Sequence, residues 1–145
     1  MLEGVYSPSE DSYLLIEAAA NLPLGRVLEL CSGTGIVGLS LASRASRVVA
    51  VDINPAAVMS TVANYRNRGL SGKLDALAGD LFSPLRGRVF DLVIMNPPYV
   101  EDDGTAGDLA WSGGKGGREL IDRFLDSVGS FLADGGRGVF IQSDL

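Results

Sequence analysis

Five short apolar runs constrain this chain more than any other feature: Arg26–Leu30, Arg47–Asp52, Leu74–Asp80, Val89–Met95 and Gly138–Gln142. Each reads as a strand, and segments with helical spacing lie between them. Strands that are apolar almost throughout need cover on both faces, and strands that alternate with helices pair in parallel. Right-handed crossovers then give an α/β fold, a doubly wound, Rossmann-like and mostly parallel sheet. No repeat and no linker divides the 145 residues, so 1–145 reads as a single domain.

The helices have readable ends. Ser7 and Glu10 suggest a capping box with Pro8 at the first helical position, followed by Leu14, Leu15, Ala18, Ala19 and Leu22 at helical spacing. A second helix is expected over 33–43. Asn54-Pro55 opens a third, which Gly69 closes. A last helix is expected over Arg118–Leu132, stopped by Gly135-Gly136. Gly104, Gly107, Gly113, Gly114, Gly116 and Gly117 mark a long loop before it.

Composition removes whole classes of chemistry. The chain has no histidine and one cysteine, Cys31. Histidine-based triads, histidine general bases, histidine metal sites and all-cysteine zinc sites are therefore excluded within this chain. A lone cysteine and an opening segment without a basic region leading into an apolar run suit an intracellular, cytoplasmic setting. No apolar stretch is long enough to span a bilayer, so no membrane partner is expected. The net charge of −6 makes nucleic acid unlikely as the primary partner, because coating phosphates requires the opposite sign.

In open parallel sheets ligands sit beyond the carboxyl ends of the strands. Gly33-Thr34-Gly35-Ile36-Val37-Gly38 follows the first strand and opens a helix, and Asp52 ends the second strand. Alone, this pattern suits a dinucleotide or a tight turn with no ligand. The acids separate the options. Glu29, Asp52 and Asp80 are expected to converge on one crevice, where Glu29 would repel a pyrophosphate. S-adenosylmethionine has no phosphate and carries a sulfonium and an ammonium. Carboxylates suit those charges and accept hydrogen bonds from ribose and adenine.

Asn96-Pro97-Pro98-Tyr99 follows the fourth strand. Paired prolines explain a rigid strand terminator but leave Asn96 and Tyr99 unexplained. A planar amino group is a poor nucleophile because its lone pair is delocalised. The Asn96 oxygen and the Pro97 carbonyl can each accept one N–H and aim the lone pair at a methyl carbon, while Tyr99 packs on the flat face. Such alignment lowers a barrier by up to roughly 7–11 kcal/mol. No strong base is required, since the nitrogen becomes acidic as it is methylated.

On these residues the sequence resembles class I methyltransferases that act on planar amino groups. More narrowly, residues 5–18, 28–42, 51–57, 79–85, 93–100 and 110–125 resemble the HemK-like protein-glutamine methyltransferases, and the opening segment their archaeal and eukaryotic branch. The resemblance implies methyl transfer to the side-chain amide of the glutamine in the Gly-Gly-Gln tip of a peptide-chain release factor. It also implies a small zinc-binding activator subunit as a partner. The expected cofactor contacts are Ser12, Glu29, Cys31, Gly33, Gly35, Asp52, Ile53, Asp80, Leu81 and Asn96. Asn96, Pro97, Pro98 and Tyr99 are expected to hold the substrate amide, with Asn96, Pro97 and Tyr99 carrying catalysis. Trp111–Arg118 is expected to form a lid with Trp111 as its anchor.

Two departures from the family pattern stand out. Cys31 occupies the first glycine of the acid-x-Gly-x-Gly-x-Gly loop, where a side chain can crowd the cofactor. Family members also continue past the fifth strand with a helix and two further strands, which the chain lacks. Three rival readings stay open. They are methylation of an exocyclic amino group on adenine or guanine or of a protein lysine, an inactive binding-only fragment, and a dinucleotide oxidoreductase.

Overall fold

A computed structural model describes residues 5, 7–97 and 118–142. Strand β1 (Arg26–Leu30) is central, flanked by β2 (Arg47–Asp52) and β4 (Phe90–Met95); β3 (Leu74–Ala78) and β5 (Leu132–Phe140) lie outermost. The order is β3-β2-β1-β4-β5, and every pair is parallel. This is the Rossmann-like α/β sheet that the apolar runs imply, with β1 and β2 at the expected boundaries.

The period of two along each strand sorts the core into two layers. Val27, Val48, Leu92 and Ile94 face α1 (Glu10–Ala19), α2 (Ile36–Leu41) and α3 (Pro55–Asn67). Leu28, Leu30, Val49, Val51, Val93 and Met95 face the opposite layer, where Phe82, Leu85, Ile121 and Phe124 pack. The last two come from α4 (Glu119–Ser127). Phe82 stacks on Phe131 with ring centroids 4.5 Å apart, an arrangement worth about 0.5–1.5 kcal/mol beyond area burial. No described helix is long and apolar enough to cross a membrane.

Several local readings need correction. Helix α1 starts at Glu10, capped by Ser9 rather than Ser7, and Ser12 rather than Glu10 completes the box by accepting the Ser9 N–H at 3.3 Å. The reason is burial: Ser12 is buried on the inward face with Leu15 and Ala19, whereas Glu10 faces solvent. Helix α2 is shorter than 33–43, because Gly33 and Gly35 have positive φ and form the turn that precedes it. Helix α4 ends at Ser127, a 3-10 turn covers Val128–Phe131, and β5 begins at Leu132, well before Gly138. Gly135-Gly136 therefore does not stop the helix. It lies in an irregular stretch of β5, where a Cβ on Gly136 would fall 2.9 Å from the Phe90 carbonyl and 2.8 Å from that of Ala133. Strand β3 ends at Ala78, two residues early. The glycine-rich loop and lid at 101–117, including Trp111, lie outside the described residues, as do Pro98 and Tyr99.

Candidate active site

The loops at the carboxyl ends of β1, β2, β3 and β4 meet at one pole of the sheet. Ser32 N–H donates to the Val51 carbonyl and Gly79 N–H to that of Asp52, so neighbouring loops are stitched together. The Asp52 carboxylate does the same for the glycine loop. Its Oδ2 accepts the Gly33 N–H at 2.9 Å and its Oδ1 the Asn54 N–H at 2.9 Å. Burial raises the Asp52 pKa, and the two amides oppose that rise.

Helix α3 grips the same loop from below. Thr61, Asn64 and Tyr65 share one helical face by their spacing. The Thr61 hydroxyl donates to the Gly33 carbonyl at 3.1 Å, and Asn64 Nδ2 donates to the Thr34 carbonyl at 2.8 Å. Gly35 is the helix α2 cap at φ 78°, and a Cβ there would sit 2.6 Å from the Thr61 methyl. Two independent constraints thus require glycine at 35. These α3 residues were missed at the sequence level. Their only signal is the spacing of Ala57, Thr61 and Tyr65, which reads as ordinary burial.

An open recess of about 320 Å³ lies between the glycine loop, α1 and the end of β4. Its polar lining includes Ser12, Glu29, Cys31, Ser32, Thr34 and Asn96, over an apolar floor of Leu15, Val37 and Ile94. Glu29 is buried, and its Oε2 accepts the Gly38 N–H at 3.1 Å. Burial pushes this carboxyl up to about 8; the Gly38 amide lowers it and Asp52 adds to the rise. Glu29 Oε1 and Asn96 Oδ1 are buried with no hydrogen-bond partner. Orphaned buried acceptors are costly, so each points to a donor that arrives from outside the chain or moves within it.

The three acids all act on Cys31, but only Glu29 lines the recess; Asp52 and Asp80 do not, so they do not share one crevice with it. Burial raises the Cys31 thiol pKa first, then Asp52, Asp80 and Glu29 in that order, with Arg123 opposing them. A thiol held protonated is a poor nucleophile. Cys31 also has φ 55°, the left-handed region, so a residue with a Cβ occupies a glycine backbone position.

Gly33, Gly35, Asp52, Ile53, Asp80 and Leu81 lie outside the recess lining, on the β2–β3 side of the loop. Ile53 is exposed, Leu81 is buried with φ 50°, and Asp80 is exposed. Asp80 is not a free acceptor: its Oδ2 takes an ion pair from Arg123 Nη2 at 2.8 Å. The sequence gives no sign of that partner, 43 residues away on α4. Pro97 is buried directly after β4, behind Asn96. The described residues contain no cluster of His, Cys, Asp or Glu that could hold a metal ion.

A parallel sheet with a glycine loop held by the acid that ends β2, and an Asn-Pro after β4 whose Asn96 Oδ1 is buried, defines a methyltransferase-type site. The chain belongs to the methyltransferase small-domain family, whose model matches residues 2–141. Among its relatives, a Methanocaldococcus jannaschii protein bearing the name protein N5-glutamine methyltransferase is 37% identical over 97% of this chain and 73% of its own length. Mouse methyltransferase HEMK2 is 38% identical over 94% of this chain and 69% of its own length. The Moorella thermoacetica release factor glutamine methyltransferase is 31% identical over 92% of this chain and 52% of its own length. These relatives make the chain a HemK-like member of the family. The Thermus thermophilus 16S rRNA N2 G1207 methyltransferase, solved with AdoMet and guanosine, superposes with a TM-score of 0.71 at 26% identity. That match covers 92% of this chain and 34% of the rRNA enzyme.

Proposed function

We propose that this chain transfers a methyl group from S-adenosylmethionine to the side-chain amide nitrogen of a glutamine, in the Gly-Gly-Gln tip of a peptide-chain release factor. The observation that carries the reading is Asn96 Oδ1: a buried acceptor without a partner, at the carboxyl end of β4 and on the wall of the recess. A primary amide brings the N–H that such an acceptor lacks. The Pro97 carbonyl is the expected second acceptor. Pro98, Tyr99 and Trp111 complete the proposed substrate set on sequence grounds.

The donor set fits the cofactor. The buried Glu29 carboxyl lines the recess, the named polar lining is free of basic residues, and three carboxylates act on the loop. When bound, S-adenosylmethionine supplies an electrophilic methyl group on a cationic sulfur. Ser12, Glu29, Cys31 and Asn96 would hold it on the recess side. Gly33, Gly35, Asp52, Ile53, Asp80 and Leu81 would hold it on the β2–β3 side. Asn96 and Pro97 orient the amide and leave its lone pair free, so the chain needs no histidine base.

The release factor is supported by relatives that carry that substrate in their names. The small zinc-binding activator belongs to the same proposal. Strand β3 is outermost and only half-buried, which leaves an edge that a partner strand can extend. A methylation assay decides the substrate. Release factor with the Gly-Gly-Gln glutamine should be labelled, and the same factor with that glutamine replaced should not. Labelling of both, or of RNA instead, would overturn the assignment. RNA is the second reading, favoured by the likeness to a guanine-N2 methyltransferase and opposed by the net charge of −6.

A further inference from the structure

Three buried side-chain atoms among the described residues have no hydrogen-bond partner: Glu29 Oε1, Tyr65 Oη and Asn96 Oδ1. Asn96 is absorbed by the substrate reading. The other two share one small space. A Cβ built on Gly38 would lie 2.9 Å from Tyr65 Oη and 3.2 Å from Glu29 Oε1, with Val48 Cγ1 at 3.1 Å as the apolar wall. The absent side chain at 38 is what lets a phenol from α3 and a carboxyl from β1 approach each other. Tyr65 is fully buried and Glu29 nearly so.

The two orphans are chemically complementary. A phenol brings one O–H donor; an ionised carboxylate with one oxygen already on the Gly38 amide has acceptor capacity left on the other. A neutral carboxyl would satisfy its own proton on Tyr65 Oη but leave the phenol proton without an acceptor. Pairing therefore favours the anion. We infer that Tyr65 is a positioning residue for the cofactor, its hydroxyl closing onto Glu29 Oε1 and stabilising the anionic form of that carboxyl at the recess. The inference rests on reading the recess as the S-adenosylmethionine site.

The surroundings decide how much this matters. Asp52 at the end of β2 disfavours a second negative charge at Glu29, and α2 offsets it with the Gly38 and Val37 amides. Cys31 in the loop stays a thiol. α1 and β4 contribute Ser12 and Asn96 to the same recess, and neither titrates. Burial leaves Glu29 poised close to neutral pH, so a single donated hydrogen bond settles its charge. The bond also links α3, which already holds Gly33 and Thr34, to the one buried acid of the recess.

The test uses Tyr65→Phe, which keeps the ring in the core, in cofactor-free protein labelled with carbon-13 at glutamate carboxyls. The Glu29 carboxyl titration should move up by roughly one unit in the variant. The affinity ratio of S-adenosylmethionine to S-adenosylhomocysteine, which lacks the sulfonium charge, should fall roughly threefold to tenfold at neutral pH and recover at higher pH. In a Glu29→Gln background Tyr65→Phe should leave that ratio unchanged. An unmoved carboxyl titration overturns the inference, as does an equal loss of ratio in the Glu29→Gln background, which marks Tyr65 as mere packing. Failure of the unaltered protein to bind S-adenosylmethionine at all overturns the cofactor reading instead, and is read separately from the carboxyl titration.

Discussion

Arg123 Nη2 lies 2.8 Å from Asp80 Oδ2, tying α4 to the loop after β3. Both side chains are about half exposed, so the pair adds less than about 1 kcal/mol to stability. Its consequence is orientation. Arg123→Ala should leave urea denaturation nearly unchanged while weakening S-adenosylmethionine several-fold, measured by calorimetry. Unchanged affinity would remove Asp80 from the cofactor set.

Asn96 makes a sharper separation between binding and chemistry. Its Oδ1 is orphaned, so Asn96→Ala breaks no hydrogen bond at that oxygen and should cost under about 1 kcal/mol of stability. Turnover on release factor should fall by at least about 100-fold, since one of two orienting acceptors is lost. Cofactor affinity should fall far less than turnover, since Ser12 and Glu29 stay in the recess. Single-turnover kinetics beside equilibrium binding would show the split, and retained turnover would refute the role.

Glu29 gives the protein a pH signature. Its folded pKa is raised from 4.5 to about 8, so the folded state holds a proton that the unfolded state releases. Unfolding then becomes easier as pH climbs through that window, with the full cost present above it. Glu29→Gln in cofactor-free protein should therefore match the parent near about pH 5 and exceed it by up to a few kcal/mol near about pH 8.5. Urea titrations at both pH values check this. An advantage that shrinks with pH would contradict it.

Cys31 occupies a left-handed backbone position at φ 55°. Cys31→Gly relieves a conformational cost of roughly 1–2 kcal/mol but adds glycine's unfolded-state entropy of roughly 0.5–1 kcal/mol. Stability should change by less than about 1 kcal/mol. The recess loses a side chain from its wall, so S-adenosylmethionine should bind more tightly. Calorimetry on both proteins tests this, and weaker binding in the variant would show that the thiol contributes a contact.

The sheet was legible because its signal is local. β1 and β2 fall at the expected residues, and Asn54-Pro55 opens α3 with the Asn54 side chain accepting from Ala56 N–H. The end of α4 was not legible. Leu132 continues a helical apolar face in sequence, yet pairing with Phe90 in the sheet draws it into a strand. At the site, the acids and Asn96 could be named from their strand ends. The residues that brace the site could not. Arg123 meets Asp80 across 43 residues, Thr61 and Asn64 reach the glycine loop across 28 and 30, and nothing in the local pattern marks such encounters.

The unidirectional sheet gathers every strand's carboxyl end at one pole, and the opposite pole is built differently. There Asp91 Oδ2 accepts the Arg26 N–H at 2.8 Å, and Ser46 N–H donates to the Gly25 carbonyl. Those contacts brace the strands' starting points and touch no part of the recess. A fluorophore or surface tether attached beside Arg44 would report on the whole body without shading the catalytic mouth.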